Sequence, residues 1–204
     1  MNGLNVIKSK TKQVIFYTSD KNRQNSLSHN DVRCLFEDRQ RRLWLGTAKG
    51  IDIFTNAADV PETAHLIHIQ NNSNKKSLNE GAVQVIFQDN KGRILIGIEN
   101  GGLDVLHPQN LANGKFEFDH HVNIADDDNS LSNNSIYSIF QDSQNSIWVG
   151  THGDGLNIYN PLNEKFELVQ NSTKTSRLII NNQVNAFVED EKYLWVGTEG
   201  GLSC

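Results

Sequence analysis

The stretch Ser146 to Leu156, SIWVGTHGDGL, holds residue types that do chemistry. Gly150, Gly153 and Gly155 would let bare backbone N–H groups approach a phosphate. His152 beside Asp154 has the makings of an acid–base pair. His120-His121 and the run Asp126-Asp127-Asp128-Asn129 suggest metal or cation ligation in the same way. The phosphate and metal ideas each fail a simple requirement. A phosphate loop opens a helix, whereas Leu156-Asn157-Ile158-Tyr159 reads as a strand. Adjacent histidines on a strand point to opposite faces. The acidic run lacks the spaced ligands and bidentate Glu of a calcium loop. No metal, cofactor or catalytic residue is expected.

Composition narrows the choice further. The 204 residues are 37% hydrophobic and 21% charged, enough for a packed core. The formal net charge of −5 argues against a nucleic-acid surface, which needs a basic stripe. No apolar run reaches the length of a membrane helix, and the N-terminus lacks the apolar core of a signal peptide. Cys34, inside the apolar run Val32 to Phe36, reads as a small core residue, and Cys204 is the last residue.

The elements that must position these residues are repeated. LWLGTAKGI (Leu43 to Ile51), ILIGIENGGL (Ile94 to Leu103), IWVGTHGDGL (Ile147 to Leu156) and LWVGTEGGL (Leu194 to Leu202) share Gly46, Gly97, Gly150 and Gly197, at spacings of 51, 53 and 47 residues. Upstream of each lies VRCLFED, VQVIFQD, IYSIFQD or VNAFVED, ending in Asp38, Asp89, Asp142 and Asp190. Ser26-Leu27, Ser77-Leu78 and Ser130-Leu131 precede three of these runs, with Leu178-Ile179 near that place in the last.

Each unit reads as four short antiparallel strands, and such a unit recurring about every fifty residues is the pattern of β-propeller blades. The expected fold is all-β, about four blade-equivalents: a partial blade at 1–19, blades at 20–70, 71–122 and 123–170, and a partial blade at 171–204. Residues 2–7 resemble a third strand and residues 14–17 a fourth, while the C-terminus enters another third strand. Either the terminal halves pair to close a small ring, or the blades are part of a larger propeller; the second is the expectation.

The repeated residues suit architecture. Trp44, Trp148 and Trp195 share one position, where a large ring fills the space between sheets, worth about 2–3 kcal/mol each. Leu95 stands there in the second unit, which must pack more thinly or be filled from a neighbour. The Asp ending each inner run can accept backbone N–H groups and hold a turn. The glycines of 101–102, 153–155 and 200–201 are expected to supply positive φ between the second and third strands.

The pattern N-x-[VI]-x-x-[IL]-F-x-D, then LWVGT, then GDGL or GGL, then Asn-Pro, is carried by Asn134 to Asp142, Ile147 to Thr151, Gly153 to Leu156 and Asn160-Pro161. It resembles the two-component regulator propeller repeat of the sensor regions of hybrid two-component systems typical of gut Bacteroidetes. Gly81 for Asn, Leu95 for Trp, Ile98 for Thr and the shortened turn at Glu191-Lys192 depart from it. The resemblance implies a seven-bladed propeller outside the inner membrane, periplasmic or extracytoplasmic. It also implies an oligosaccharide ligand, further blades and downstream sensor domains as partners, a homodimer of the parent, and a kinase elsewhere.

Ligand contacts are expected where the units differ. On the face shared by the fourth-to-first and second-to-third connections, the second inner-strand residue varies as Arg33, Gln84, Tyr137 and Asn185. The glycine turns vary as Lys49, Glu99-Asn100, His152 with Asp154, and Glu199. This mixed polar and aromatic set suits sugar hydroxyls. A non-catalytic sensory module is therefore expected, the alternatives being a propeller glycosidase or lyase and a protein-interaction propeller.

Overall fold

The computed structural model describes residues 3–23, 25–55, 65–171 and 179–204. Asn2 and Leu178, part of the strand and loop readings above, lie outside the described residues. Three four-stranded antiparallel sheets follow one another along the chain, each ordered as its sequence. The first contains β3 (Val32–Glu37), β4 (Leu43–Thr47), β5 (Gly50–Phe54) and β6 (Leu66–Ile69). The second contains β7 (Val83–Gln88), β8 (Ile94–Ile98), β9 (Gly102–Leu106) and β10 (Phe118–His121). The third contains β11 (Ile136–Gln141), β12 (Ile147–Thr151), β13 (Leu156–Asn160) and β14 (Lys165–Val169). Before them lies a hairpin, β1 (Leu4–Ile7) and β2 (Val14–Tyr17); after them a sheet of β15 (Val184–Glu189), β16 (Leu194–Thr198) and β17 (Gly201–Ser203). These two partial sheets remain separate, each paired only within itself. The first strand of each sheet packs beside the first strand of the next, in the order β3, β7, β11, β15. This is the arrangement of propeller blades, inner strands at the axis.

One element was not read from the sequence. The connection from β9 to β10 contains a short helix α1 (Pro108–Ala112), with Pro at its first position and Leu111 buried between blades. Proline there fixes φ for helix entry and forfeits no helical hydrogen bond.

The core lies between blades rather than within them. Trp44, Ile51 and Ile53 of the first blade pack on Val83, Ile86, Ile94 and Ile96 of the second. Leu95, Leu103 and Val105 pack on Ile136, Ile139, Ile147 and Val149 of the third. Trp148, Leu156 and Ile158 pack on Val184 and Val196. Leu95 is fully buried in the same cluster as Tyr159 and Phe166, so the volume lost with the missing indole is filled from the neighbouring blade. Where the preceding strands are only the β1–β2 hairpin, Leu35 is 54% exposed, against 5% and 8% for its equivalents Ile86 and Ile139.

Blade spacing is set at the shared glycine. A Cβ on Gly46 would stand 2.7 Å from Val83 Cγ1, one on Gly97 2.7 Å from Ile136 Cγ2, and one on Gly150 2.7 Å from Val184 Cγ1. Each glycine thus seats the first residue of the next inner strand, always β-branched. Cys34 lies against Gly46, and burial pushes its thiol up to about 11, the behaviour of an inert core residue. In the turns, positive φ falls on Gly102, Gly153, Gly155 and Gly201 as expected, but Gly101 and Gly200 do not adopt it; Asn100 supplies the other left-handed residue of its turn.

At the far end from these turns the repeated Asp clasps the first hairpin. Asp142 Oδ1 accepts the N–H groups of Gln144 (3.0 Å) and Ser146 (2.7 Å), and Oδ2 accepts the Trp148 indole N–H at 2.7 Å. Asp38 does the same with Gln40, Arg42 and Trp44, and Asp190 with Lys192, Tyr193 and Trp195. In the blade without a Trp, Asp89 Oδ2 accepts from Arg93 Nε at 2.6 Å instead. A second latch crosses blades: Gln88 Oε1 accepts from Arg39 N (2.9 Å), Gln141 Oε1 from Asn90 N (2.7 Å) and Glu189 Oε2 from Ser143 N (2.7 Å).

Adding one methyl separates packing from strand propensity. Gly97→Ala should destabilise the fold by about 1–3 kcal/mol, because the new Cβ must displace Ile136 and Val85. Gly197→Ala, whose Cβ meets only Ala186 at 3.5 Å, should stay within about 0.5 kcal/mol of the parent. Urea denaturation of the two variants measures the difference.

Candidate functional site

Every inner strand carries a β-bulge at its second residue. Val32 pairs with Thr47 but Cys34 with Gly46, leaving Arg33 without a partner in the ladder. The same shift falls between Val83 and Val85, Ile136 and Ser138, and Val184 and Ala186, so Gln84, Tyr137 and Asn185 are the unpaired residues. A bulge breaks the in–out alternation and re-aims its side chain. Because the inner strands lie side by side, the four bulges stand at one end of the axis, level with the second-to-third turns. The variable residues of the sequence are the residues the ladder releases.

Three neighbouring blades contribute to one polar cluster there. Arg33 Nε donates to Asp31 Oδ2 at 3.0 Å, and its NH2 is also 3.0 Å from that oxygen. Arg33 NH1 is 4.0 Å from Glu99, whose Oε2 accepts from Gln84 Nε2 at 2.8 Å. The Tyr137 ring lies against His152, centroids 4.9 Å apart and planes tilted by 33°. Burial raises the Tyr137 phenol above its ordinary value, Glu99 adds to the rise and Arg33 opposes it. The hydrogen bond and charge of Asp31 raise the Arg33 guanidinium further, so it stays cationic. Arg33, Gln84, Glu99, Tyr137 and His152 thus form one surface, in which hydrogen-bonding groups flank an aromatic pair.

The remaining expected contacts sit elsewhere. Asn100 is tied into the blade junction: its N–H donates to Ser135 Oγ at 3.0 Å and its Oδ1 accepts from that hydroxyl at 3.1 Å. Asp154 accepts from Asn133 Nδ2 at 2.6 Å and faces a cleft of about 410 Å³ shared with Asp126, Asp127 and Asp128. Lys49 lines a groove of about 420 Å³ with Gln70, Asn71 and Glu80. Glu199 lines one of about 310 Å³ with Asn181, Asn182 and Gln183. Asn185 is exposed on the bulge of β15. His120 and His121 do point apart, one to Asp104 and the other to the rings of Tyr159 and Phe166. Among the described residues no group of three metal-ligating side chains occurs.

The connections that carry this surface are pinned by buried polar residues that the sequence reading missed. Asp52, Asp104 and Asn157, all fully buried, follow the first apolar residue of β5, β9 and β13. Their side chains accept the N–H groups of Ser28 (2.9 Å), Asn79 (2.7 Å) and Ser132 (3.1 Å), just after the buried leucines 27, 78 and 131. From the outer strand His68 and His120 complete the two carboxylates at 2.7 and 2.6 Å, and His120 Nε2 also bonds the Lys75 carbonyl. Where the third blade has neutral Asn157, the outer-strand partner is Leu168. Once the register is known the positions covary: Asp stands opposite His twice, Asn opposite Leu once.

The hydrogen bond to Asp104 raises His120 above the ordinary histidine value, and burial raises Asp104 above the usual carboxylate range. His120→Leu alone should cost about 3–5 kcal/mol by stranding a buried carboxylate, and Asp104→Asn with His120→Leu should recover most of it by copying the third blade. Because His120 binds its proton more tightly in the folded state, its contribution is full below about pH 6.5. It is lost as pH rises through the raised value. Denaturation at several pH values should show the parent's advantage over the double variant shrinking toward alkaline pH.

Comparison with known proteins agrees with this architecture. Residues 26–49 and 130–153 match the family model of the two-component regulator propeller. The extracellular domain of BT4673 from Bacteroides thetaiotaomicron, described as a hybrid two-component system, superposes with a TM-score of 0.75 at 26% identity, over 98% of this chain and 26% of that one. The extracellular domain of BT3049 from the same organism, described likewise, gives 0.66 at 20% identity, over 98% and 30%. PorZ of Porphyromonas gingivalis, a surface component of the type IX secretion system, shares the fold at 16% identity and a TM-score of 0.65, over 96% and 28%. The chain spans little more than a quarter of these structures. No curated protein sequence matches it. The blades are those of a propeller, and their repeat is similar to that of two-component regulators. Among the described residues no helix is long and apolar enough to cross a membrane.

Proposed function

We propose that this chain is a ligand-sensing, non-catalytic part of an extracytoplasmic propeller, that its ligand is an oligosaccharide, and that occupancy is passed through further blades and sensor domains to a kinase. The observation that carries the reading is the convergence of bulged residues from successive blades. Arg33, Gln84 and Tyr137 are released from the ladder at one end of the axis, and the Glu99 and His152 turns join them. An aromatic face with amide, carboxylate and guanidinium groups around it matches a sugar ring, which offers apolar C–H faces and a rim of hydroxyls. The similarity to the extracellular domain of a two-component system supports the placement.

The geometry also supports the route of signalling. Arg33, Gln84 and Tyr137 belong to three blades, so one ligand touching all three couples three rigid sheets. Its binding energy then acts on blade-to-blade geometry, which is what a two-state sensor must change.

The test is calorimetric titration of the full-length protein with a panel of plant and host oligosaccharides, alongside chromatography of the sugars. Binding without cleavage is expected, and Tyr137→Ala should weaken it by at least about tenfold through loss of the stacking face. Cleavage would instead make the propeller an enzyme, and absence of binding to every glycan would leave a protein-interaction surface.

A further inference from the structure

Resting on the reading just given, we infer that the ligand is an uncharged glycan and that Glu99 is the residue excluding acidic ones, those bearing uronate or sulfate groups. Among the described residues the cluster has one cation in contact with it, Arg33, and two carboxylates compete for that cation: Asp31 at 3.0 Å and Glu99 at 4.0 Å. The balance of these described groups is therefore one negative charge. Lys49 does not restore it, since that side chain lines the separate groove beside Gln70 and Glu80. Further out, Asp154 and Glu199 on the neighbouring turns are also acidic.

An anionic sugar has two ways to enter, and both are costly. It can take Arg33 from Glu99 or Asp31, which strands a partly buried carboxylate. Otherwise it can sit beside Glu99 with like charges a few ångströms apart. A hydroxyl meets neither cost. It donates to Glu99, whose carboxylate oxygens are acceptors only, and accepts from the amide of Gln84 or the phenol of Tyr137. Glu99 already accepts Gln84 Nε2 on Oε2, so the geometry leaves Oε1 for the incoming hydroxyl. Burial and Glu99 together keep the Tyr137 phenol protonated, and so a donor, across the neutral range. The site is built to be read by hydrogen bonds rather than by ion pairs.

The discriminating measurement is the ratio of affinities for neutral and acidic tetrasaccharides of matched linkage, such as glucan or xylan fragments against hexuronate fragments, titrated into the full-length protein. The neutral sugar should bind at least about tenfold more tightly, with an affinity that changes less than about twofold between roughly 50 and 500 mM NaCl. Glu99→Gln should narrow the ratio about five- to tenfold, chiefly by strengthening the acidic sugar, whereas Arg33→Gln should widen it. A parent protein that prefers the acidic sugar, or a ratio that Glu99→Gln leaves in place, overturns the inference while leaving glycan sensing intact. Failure of both sugars, and of the wider glycan panel, overturns glycan sensing and this inference together.

Discussion

The second strand of each blade meets the next blade through a hydrogen atom. At Gly46, Gly97 and Gly150 any side chain would occupy the space held by Val83, Ile136 or Val184. The distance between sheets, and hence the interdigitation of Trp44 with Ile86 or of Leu95 with Ile139, follows from that contact. Interiors packed as densely as crystals leave no slack for a different spacing. The β-branched residue opposite each glycine is stiff at χ1 and fills the notch in one shape. Blade orientation is therefore fixed near the axis, where small angular errors would grow toward the outer strands.

The same position explains where variation is allowed. One residue beyond the seated Val or Ile the strand bulges, and the freed side chain leaves the packed interface. The opposite end of the strand is held just as firmly, by an Asp that joins its turn to an indole and by a Gln or Glu that reaches the preceding blade. Rigid support on both sides of a bulge gives a scaffold on which Arg33, Gln84, Tyr137 and Asn185 can differ without altering the fold. Any recognition by hydrogen bonds needs that combination, because misplaced partners lose their hydrogen bonds steeply with angle.

Most of this architecture was readable because it repeats. Four copies of an apolar run ending in Asp, followed by LWVGT or its variants, located the inner strands and turns to within a residue or so. Long-range pairings inside one blade were harder. Asp52 and Asp104 looked like ordinary strand residues, since nothing local reveals that His68 and His120 stand opposite them on the neighbouring strand. The helix at Pro108 was missed because five residues are too few for a periodicity to show. Of the expected ligand positions, Arg33, Gln84 and Tyr137 on the bulges share a surface with Glu99 and His152. Lys49, Asn100, Asp154 and Glu199 scatter into grooves and junctions, because a turn tip can lean either toward the axis or toward the next blade.

Seating each blade in its neighbour also has a thermodynamic consequence. No full blade owns a complete core; each borrows half from the sheet beside it, so stability is a sum of nearest-neighbour couplings along a line. An interface that opens therefore weakens the two blades it joins and leaves the next interface along the line intact. A molecule bridging the bulges of three sheets adds couplings of its own to that line. Such couplings would stiffen blades the molecule never touches, in addition to any change in the geometry between the blades it joins.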